Sequence, residues 1–251
     1  MARTFSTTAI VLNRENIRAD HSQLTLFTKN LGKIEAIAKS LRKARSKLAA
    51  HIEPITKTEI FIVRGRHFYI LAGSVPVDRY AGIHSDLSKL HAAGALCQLI
   101  DACSPFEVSD TREQSLLEDS LGLIDKAALN QRQQNFLVHC FAWQLINLLG
   151  FRPDIITCIF CKDKLNGEPL LFSARHGATA HQRCLRGNGI DSLTLTLPAI
   201  KGLAYMLAAP IEDCLLLRAQ NGALDEMSKV VEAIMEERFD IPKNARIWSN
   251  L

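Results

Sequence analysis

The chain has 251 residues, of which 47% are hydrophobic and 22% charged, and a formal net charge of +4. Those values give one to three domains with real cores and exclude a long disordered span. No run of about 18 or more apolar residues appears, so no membrane helix is expected, and the start, MARTFSTTAIVLNREN, lacks an apolar leader core, so the chain reads as cytoplasmic.

Residues 4–80 read as β. TFSTTAIVLNREN, SQLTLFTKN, KIEAIAKS, PITKTEIFIVRG and RHFYILAGS carry period-2 or short apolar patterns rich in Thr, Ile, Val and Phe. The breaks at Asn30-Leu31-Gly32-Lys33 and Val63-Arg64-Gly65-Arg66 have hairpin chemistry. Five short strands in so short a span suit a closed small barrel, which hides its edges. An OB-fold is the expected form, with SH3-like barrels as the rival. Period 2 puts Phe68 and Tyr69 on opposite faces, so one of them is expected outside.

Basic charge concentrates in the same part of the chain. From Lys33 to Arg66 there are nine Lys or Arg and three acids, a balance of +6; the rest of the chain sums to −2. The stretch 37–51, IAKSLRKARSKLAAH, holds five basic residues and no acid. A localised basic face is the footprint of a polyanion partner. Lys33, Lys39, Arg42, Lys43, Arg45, Lys47, Arg64 and Arg66 are the candidate phosphate contacts. The bland alternative is a solvated loop. Membrane binding ranks below nucleic acid, because between Ser40 and His51 the large apolar residues are Leu41 and Leu48 alone.

After Tyr80 the texture turns helical. SDLSKLHAAGALCQLIDACS repeats its apolar residues at helical spacing. Asp110 with Glu113 has the form of a capping box for a second helix, running to about Leu129. QQNFLVHCFAWQLINLLG is a third helix, with Gly150 as its stop. Residues 198–209 and 222–238 read as further helices.

Residues 154–190 are loop-rich and hold CIFCKDKLNGEPLLFSARHGATAHQRC. Cys158 and Cys161 are spaced C-x-x-C; His181 and Cys184 are spaced H-x-x-C. Paired knuckles of this kind match a four-ligand zinc ribbon, in which each tight turn grips the ion with two side chains. The segment has too few large apolar residues for a core of its own, so a structural Zn2+ would stabilise it. His176 is the fallback third ligand. Seven cysteines make a poor disulfide framework; Cys97, Cys103, Cys140 and Cys214 lie in apolar helical text and are expected as small core residues.

No phosphate-binding Gly-rich loop, nucleophile elbow or H-E-x-x-H is present. The chain is therefore not expected to be an enzyme.

The order of these pieces resembles the RecO family of bacterial recombination mediator proteins. The resemblance spans most of the chain. It is carried by TAIVLNRENIRADHSQLTLFTKNLGKIEAIAKSLRKARSKLAAHIEPITKTEI (8–60), by RGR at 64–66, and by FAWQLINLLGF (141–151) leading into the C-x-x-C element. It implies an α+β multidomain protein: an OB-fold DNA-binding domain over 1–80, a helical domain over 81–153 and 191–251, and an inserted zinc-ribbon-like element over 154–190. It further implies binding of single- and double-stranded DNA and annealing of strands coated by single-stranded-DNA-binding protein, whose acidic tail docks on the helical domain. With RecR, and in some settings RecF, such a protein promotes RecA loading at gaps. The family's metal element usually has four cysteines; here His181 stands at the third ligand place. The alternative reading is a zinc-containing protein-interaction or RNA-binding OB-fold module without annealing activity.

Overall fold

A computed structural model describes residues 4–18, 21–39, 51–66, 68–167, 169–185, 192–218 and 221–239. The chain forms two compact units, one through Ala128 and one from Leu129.

In the first unit, five strands close a barrel. They are β1 (Thr4–Arg18), β2 (His21–Thr28), β3 (Gly32–Lys39), β4 (Lys57–Arg64) and β5 (Tyr69–Asp78). Their order around the barrel is β1-β2-β3-β5-β4. The long β1 pairs antiparallel with both β2 and β4, and a register shift between Val11 and Asn13 bends it from one partner to the other. Closure comes from a short parallel contact in which Ala36 of β3 stands opposite Tyr69 of β5. This is the OB-fold arrangement, and closure removes the edges that five short strands would otherwise expose.

Alternation fills the interior. Ala9, Val11, Leu24, Leu26, Ile34, Ala36, Ile60 and Ile62 form one buried cluster inside the barrel. The alternation at the start of β5 resolves as expected: Tyr69 is 7% exposed and faces in, while Phe68 is 45% exposed. Strand β4 starts later than the apolar run beginning at Pro54. Ile55 adopts a left-handed φ of 63°, and the backbone there bonds to both polar groups of Val11, so 54–56 bracket β1 before the ladder begins.

Among the described residues, three helices belong to this unit: α1 (Ala81–His84), α2 (Leu87–Cys103) and α3 (Thr111–Lys126). Asp86 caps α2 by accepting from the backbone N–H groups of Ser88 and Lys89. Asp110 caps α3 by accepting from Arg112 N–H at 2.7 Å. The expected capping box is not closed: the Glu113 carboxylate accepts instead from the Ser104 hydroxyl at 2.6 Å. Burial makes that exchange favourable, since Glu113 is only 7% exposed and needs a donor. Lys57 of β4 pairs with Glu118 of α3 at 2.8 Å.

The second unit is built on α4 (Gln131–Leu148), α5 (Leu197–Ala208), α6 (Ile211–Cys214) and α7 (Asn221–Arg238). Asn130 and Gln133 form a full capping box at the start of α4. Beyond its end Gly150 takes φ +86°, the left-handed stop its sequence position predicts. Trp143 is fully buried, and its indole N–H donates to the Leu203 carbonyl at 2.9 Å. Gly202 lets α5 approach α7: a Cβ there would stand 2.6 Å from the Met227 sulfur. Between α4 and α5 lies a three-stranded sheet of β6 (Leu170–Ser173), β7 (Ala178–His181) and β8 (Leu193–Leu195), in the order β7-β6-β8.

Candidate metal centre and nucleic-acid interface

The metal-ligand spacing resolves into one place. The ligand atoms of Cys158, Cys161, His181 and Cys184 all lie within 4.8 Å of one another. Local structure explains how. Cys158 to Cys161 is a tight turn in which Lys162 N–H donates to the Cys158 carbonyl at 2.9 Å, and Lys162 itself takes a left-handed φ of 62°. Ile159 N–H donates to Thr179 O at 3.0 Å, tying that turn to β7. His181 ends β7, and Cys184 lies in the short 3-10 turn Gln182–Leu185 that follows. His176 is elsewhere, with Nδ1 3.0 Å from the Ser173 hydroxyl.

The donor set fits a metal ion. Three thiols and an imidazole are soft and borderline donors suited to a tetrahedral site. Nδ1 of His181 is 3.5 Å from Sγ of Cys161, against about 3.6 Å for the S···N edge of a tetrahedral zinc site with ordinary bond lengths. His181 is 5% exposed, and its Nε2 is buried with no hydrogen-bond partner. The nitrogen that faces the thiols is Nδ1, so Nδ1 is the one that would take the ion. Burial raises the pKa of the Cys158 thiol, but the backbone N–H groups of Cys161, His181 and Phe160 outweigh it and bring the thiol down to about 6, while Cys161, hydrogen-bonded to Cys158 and Cys184, is pushed up to about 11; without an ion the thiols share their protons, and a metal would displace them. Burial pushes Cys97 and Cys103 up to about 12. Cys97, Cys140 and Cys214 are buried, and Cys103 is half-buried.

The basic candidates divide. Arg42, Lys43, Arg45 and Lys47 lie outside the described residues. Lys39 ends β3 and is exposed, as are Arg64 and Arg66 at the β4–β5 turn. Arg64 stands 4.0 Å from Glu107, whereas Arg66 enters no ion pair among the described residues. Lys33 requires a correction. It is 4% exposed, its ammonium donates to the Asp101 carbonyl, stands 3.7 Å from the Asp101 carboxylate and lies over the Phe106 ring. Its charge is spent inside the unit and does not face a phosphate.

Sequence reasoning missed Phe106 and Glu107. They sit in the loop between α2 and α3, where no periodicity marks them, yet they meet the barrel. Glu107 N–H donates to Lys33 O at 2.8 Å, and the Tyr69 hydroxyl donates to the Glu107 carboxylate at 3.1 Å.

Barrel, helices and Cys3His cluster together define an α+β multidomain protein built on an OB-fold. Residues 1–80 match Recombination protein O N terminal, and residues 84–247 match Recombination protein O C terminal. The chain belongs to the RecO family. It is similar to DNA repair protein RecO of Roseiflexus sp. (strain RS-1), at 29% identity over 93% of this chain and 80% of that protein. It is likewise similar to DNA repair protein RecO of Alkaliphilus metalliredigens, at 25% identity over 93% of each chain. With that of Thermoanaerobacter sp. (strain X514) it shares 24% identity over 99% of this chain and 98% of the other. No helix among the described residues is long and apolar enough to cross a membrane.

Proposed function

We propose that this chain is a DNA-repair recombination mediator that acts by binding and makes or breaks no covalent bond. It binds single- and double-stranded DNA through the barrel, and it anneals complementary strands, including strands covered by single-stranded-DNA-binding protein. With RecR, and with RecF in some settings, it promotes RecA loading at gaps. The acidic tail of the single-stranded-DNA-binding protein docks on the helical domain. The protein works in the cytoplasm, on the nucleoid when engaged. Cys158, Cys161, His181 and Cys184 hold a structural Zn2+, which stabilises the element between α4 and α5 and leaves no coordination position for chemistry.

The observation that carries this is Arg66, exposed and outside every described ion pair, beside Arg64 on a barrel whose 33–66 segment is +6. A cationic surface lowers the repulsion between two phosphate backbones, so complementary strands meet more readily. Contacts to backbone carry no sequence information, which suits annealing of any sequence. Lys39, Arg42, Lys43, Arg45, Lys47, Arg64 and Arg66 supply the charge; Lys33 does not.

The test is annealing of complementary strands pre-coated with single-stranded-DNA-binding protein. Acceleration by the wild-type chain, reduced in an Arg42→Ala, Lys43→Ala, Arg45→Ala triple variant, is expected. No acceleration there, with DNA or RNA binding intact, would favour a plain binding module.

A further inference from the structure

A cleft of about 410 Å3 opens on the outside of the barrel, between the β4–β5 turn and the loop joining α2 to α3. That volume lies in the range of small-ligand sites. Two phenyl rings line it. Phe68 comes from the turn and is 45% exposed; Phe106 comes from the loop and is 51% exposed. Two large exposed aromatics beside two guanidinium groups, Arg64 and Arg66, are more than a barrel needs for its own packing.

Both walls are held in place. On the turn, Gly65 N–H donates to Phe68 O at 3.0 Å, and a Cβ on Gly65 would meet that same oxygen at 2.5 Å, so only glycine permits the closure that sends Phe68 outward. On the loop, the Lys33 ammonium covers one face of Phe106 at 4.3 Å from the ring centroid, leaving the other face to a planar ligand. Glu107 cross-ties the walls, accepting from Tyr69 and standing near Arg64. That partly neutralises Arg64 and leaves Arg66 as the cleft's guanidinium outside any ion pair among the described residues. Glu35 also lines the cleft; its carboxylate is an acceptor for the amino or imino N–H that every nucleobase carries.

We propose that this cleft takes one unstacked nucleotide of a single strand, its base between Phe68 and Phe106 and its phosphate on Arg66. The proposal rests on the DNA-binding reading above and adds to it a base-dependent preference for single strands. A paired duplex cannot offer a base without unstacking it, whereas a single strand can. Such a pocket would hold one strand extended while the other pairs with it.

The full-length chain is titrated, by fluorescence anisotropy, with a labelled single strand, with an abasic strand of the same length, and with a duplex. Wild type is expected to bind the base-bearing strand more tightly than the abasic one. Phe68→Ala and Phe106→Ala should each weaken the base-bearing strand about 5- to 150-fold and leave abasic strand and duplex unchanged. Phe68→Trp should restore binding, with its fluorescence quenched by the base-bearing strand only. Phe68 lacks the Lys33 contact that ties Phe106 to the barrel, so its variants decide the matter if Phe106→Ala fails to fold. Equal affinity of wild type for base-bearing and abasic strands, or alanine variants that bind the single strand as wild type does, would overturn the cleft while leaving backbone binding by the barrel intact. Failure of wild type to bind any DNA would overturn both.

Discussion

The Lys33 ammonium lies 4.3 Å from the centroid of the Phe106 ring, and the backbone beside it pairs with the loop that carries Phe106. A lysine from a barrel strand and a phenylalanine from an interhelical loop therefore form one joint, buried on the lysine side and open on the ring side. A cation over a ring is held by the ring quadrupole, more strongly once water is excluded. The joint removes Lys33 from the basic surface and fixes one wall of the cleft.

Salt dependence separates such buried charge from surface charge. Each phosphate contact contributes about one unit to the slope of log K against log salt. Arg66→Ala should lower that slope by about 1 and weaken all DNA sequences alike. Lys33→Met, which keeps the apolar stem, should leave it unchanged. Anisotropy titrations across a series of salt concentrations measure both, and a lower slope in Lys33→Met would place its ammonium on the DNA after all.

The metal centre makes a stoichiometric prediction. Purified chain should carry about one zinc, bound tightly enough that only strong chelators remove it. Cys158→Ala and His181→Ala should lose the metal, while His181→Cys, which restores a fourth thiolate, should keep it. Elemental analysis gives the count, and a melt with and without chelator should show a lower transition without metal. Metal-free protein with an unaltered melt would remove zinc from the account.

Much of this was legible in the sequence because it is local. Period 2 marks β1 to β5, Gly150 ends α4, and the C-x-x-C and H-x-x-C spacings name the four residues that meet. What was not legible depends on distant partners. Lys33 has the same sequence context as a surface lysine; its burial is set by Asp101, 68 residues away. Glu113 matches a capping box, and only the position of Ser104 turns it elsewhere. The change of texture after Tyr80 marks where strands stop and not where packing stops, since α1 to α3 share a unit with the barrel.

Gly32 is required twice over. It takes φ +68°, and a Cβ there would lie 2.0 Å from the Val108 carbonyl oxygen. Backbone cannot yield as a flexible side chain would, so Gly32→Ala must either displace the loop or strain the turn. We expect a loss of at least about 2 kcal/mol, a fall in Tm of roughly 4–8 °C for a chain of this size. Because the same loop carries Phe106, single-strand affinity should fall with it. A variant as stable as wild type would show that the loop stands off from β3.

Glu113 gives a pH prediction whose sign can be worked through. Burial raises its pKa above the ordinary carboxylate value, against the hydrogen bond from Ser104. Above its ordinary pKa the unfolded state gives up this proton while the folded state still holds it. The folded state thus binds more protons in that window, and stability falls as pH rises through it. At neutral pH the unfolded chain holds this carboxyl ionised in water, so burying it costs stability. Glu113→Gln, which is uncharged and still accepts from Ser104, should be more stable than wild type at pH 7. That advantage should shrink as pH falls through the raised pKa and vanish once the wild-type carboxyl is protonated in both states. Urea unfolding of the two proteins from pH 7 down to pH 4 measures the difference. A gap that widens on acidification would mean that the folded state holds Glu113 ionised more firmly than water does.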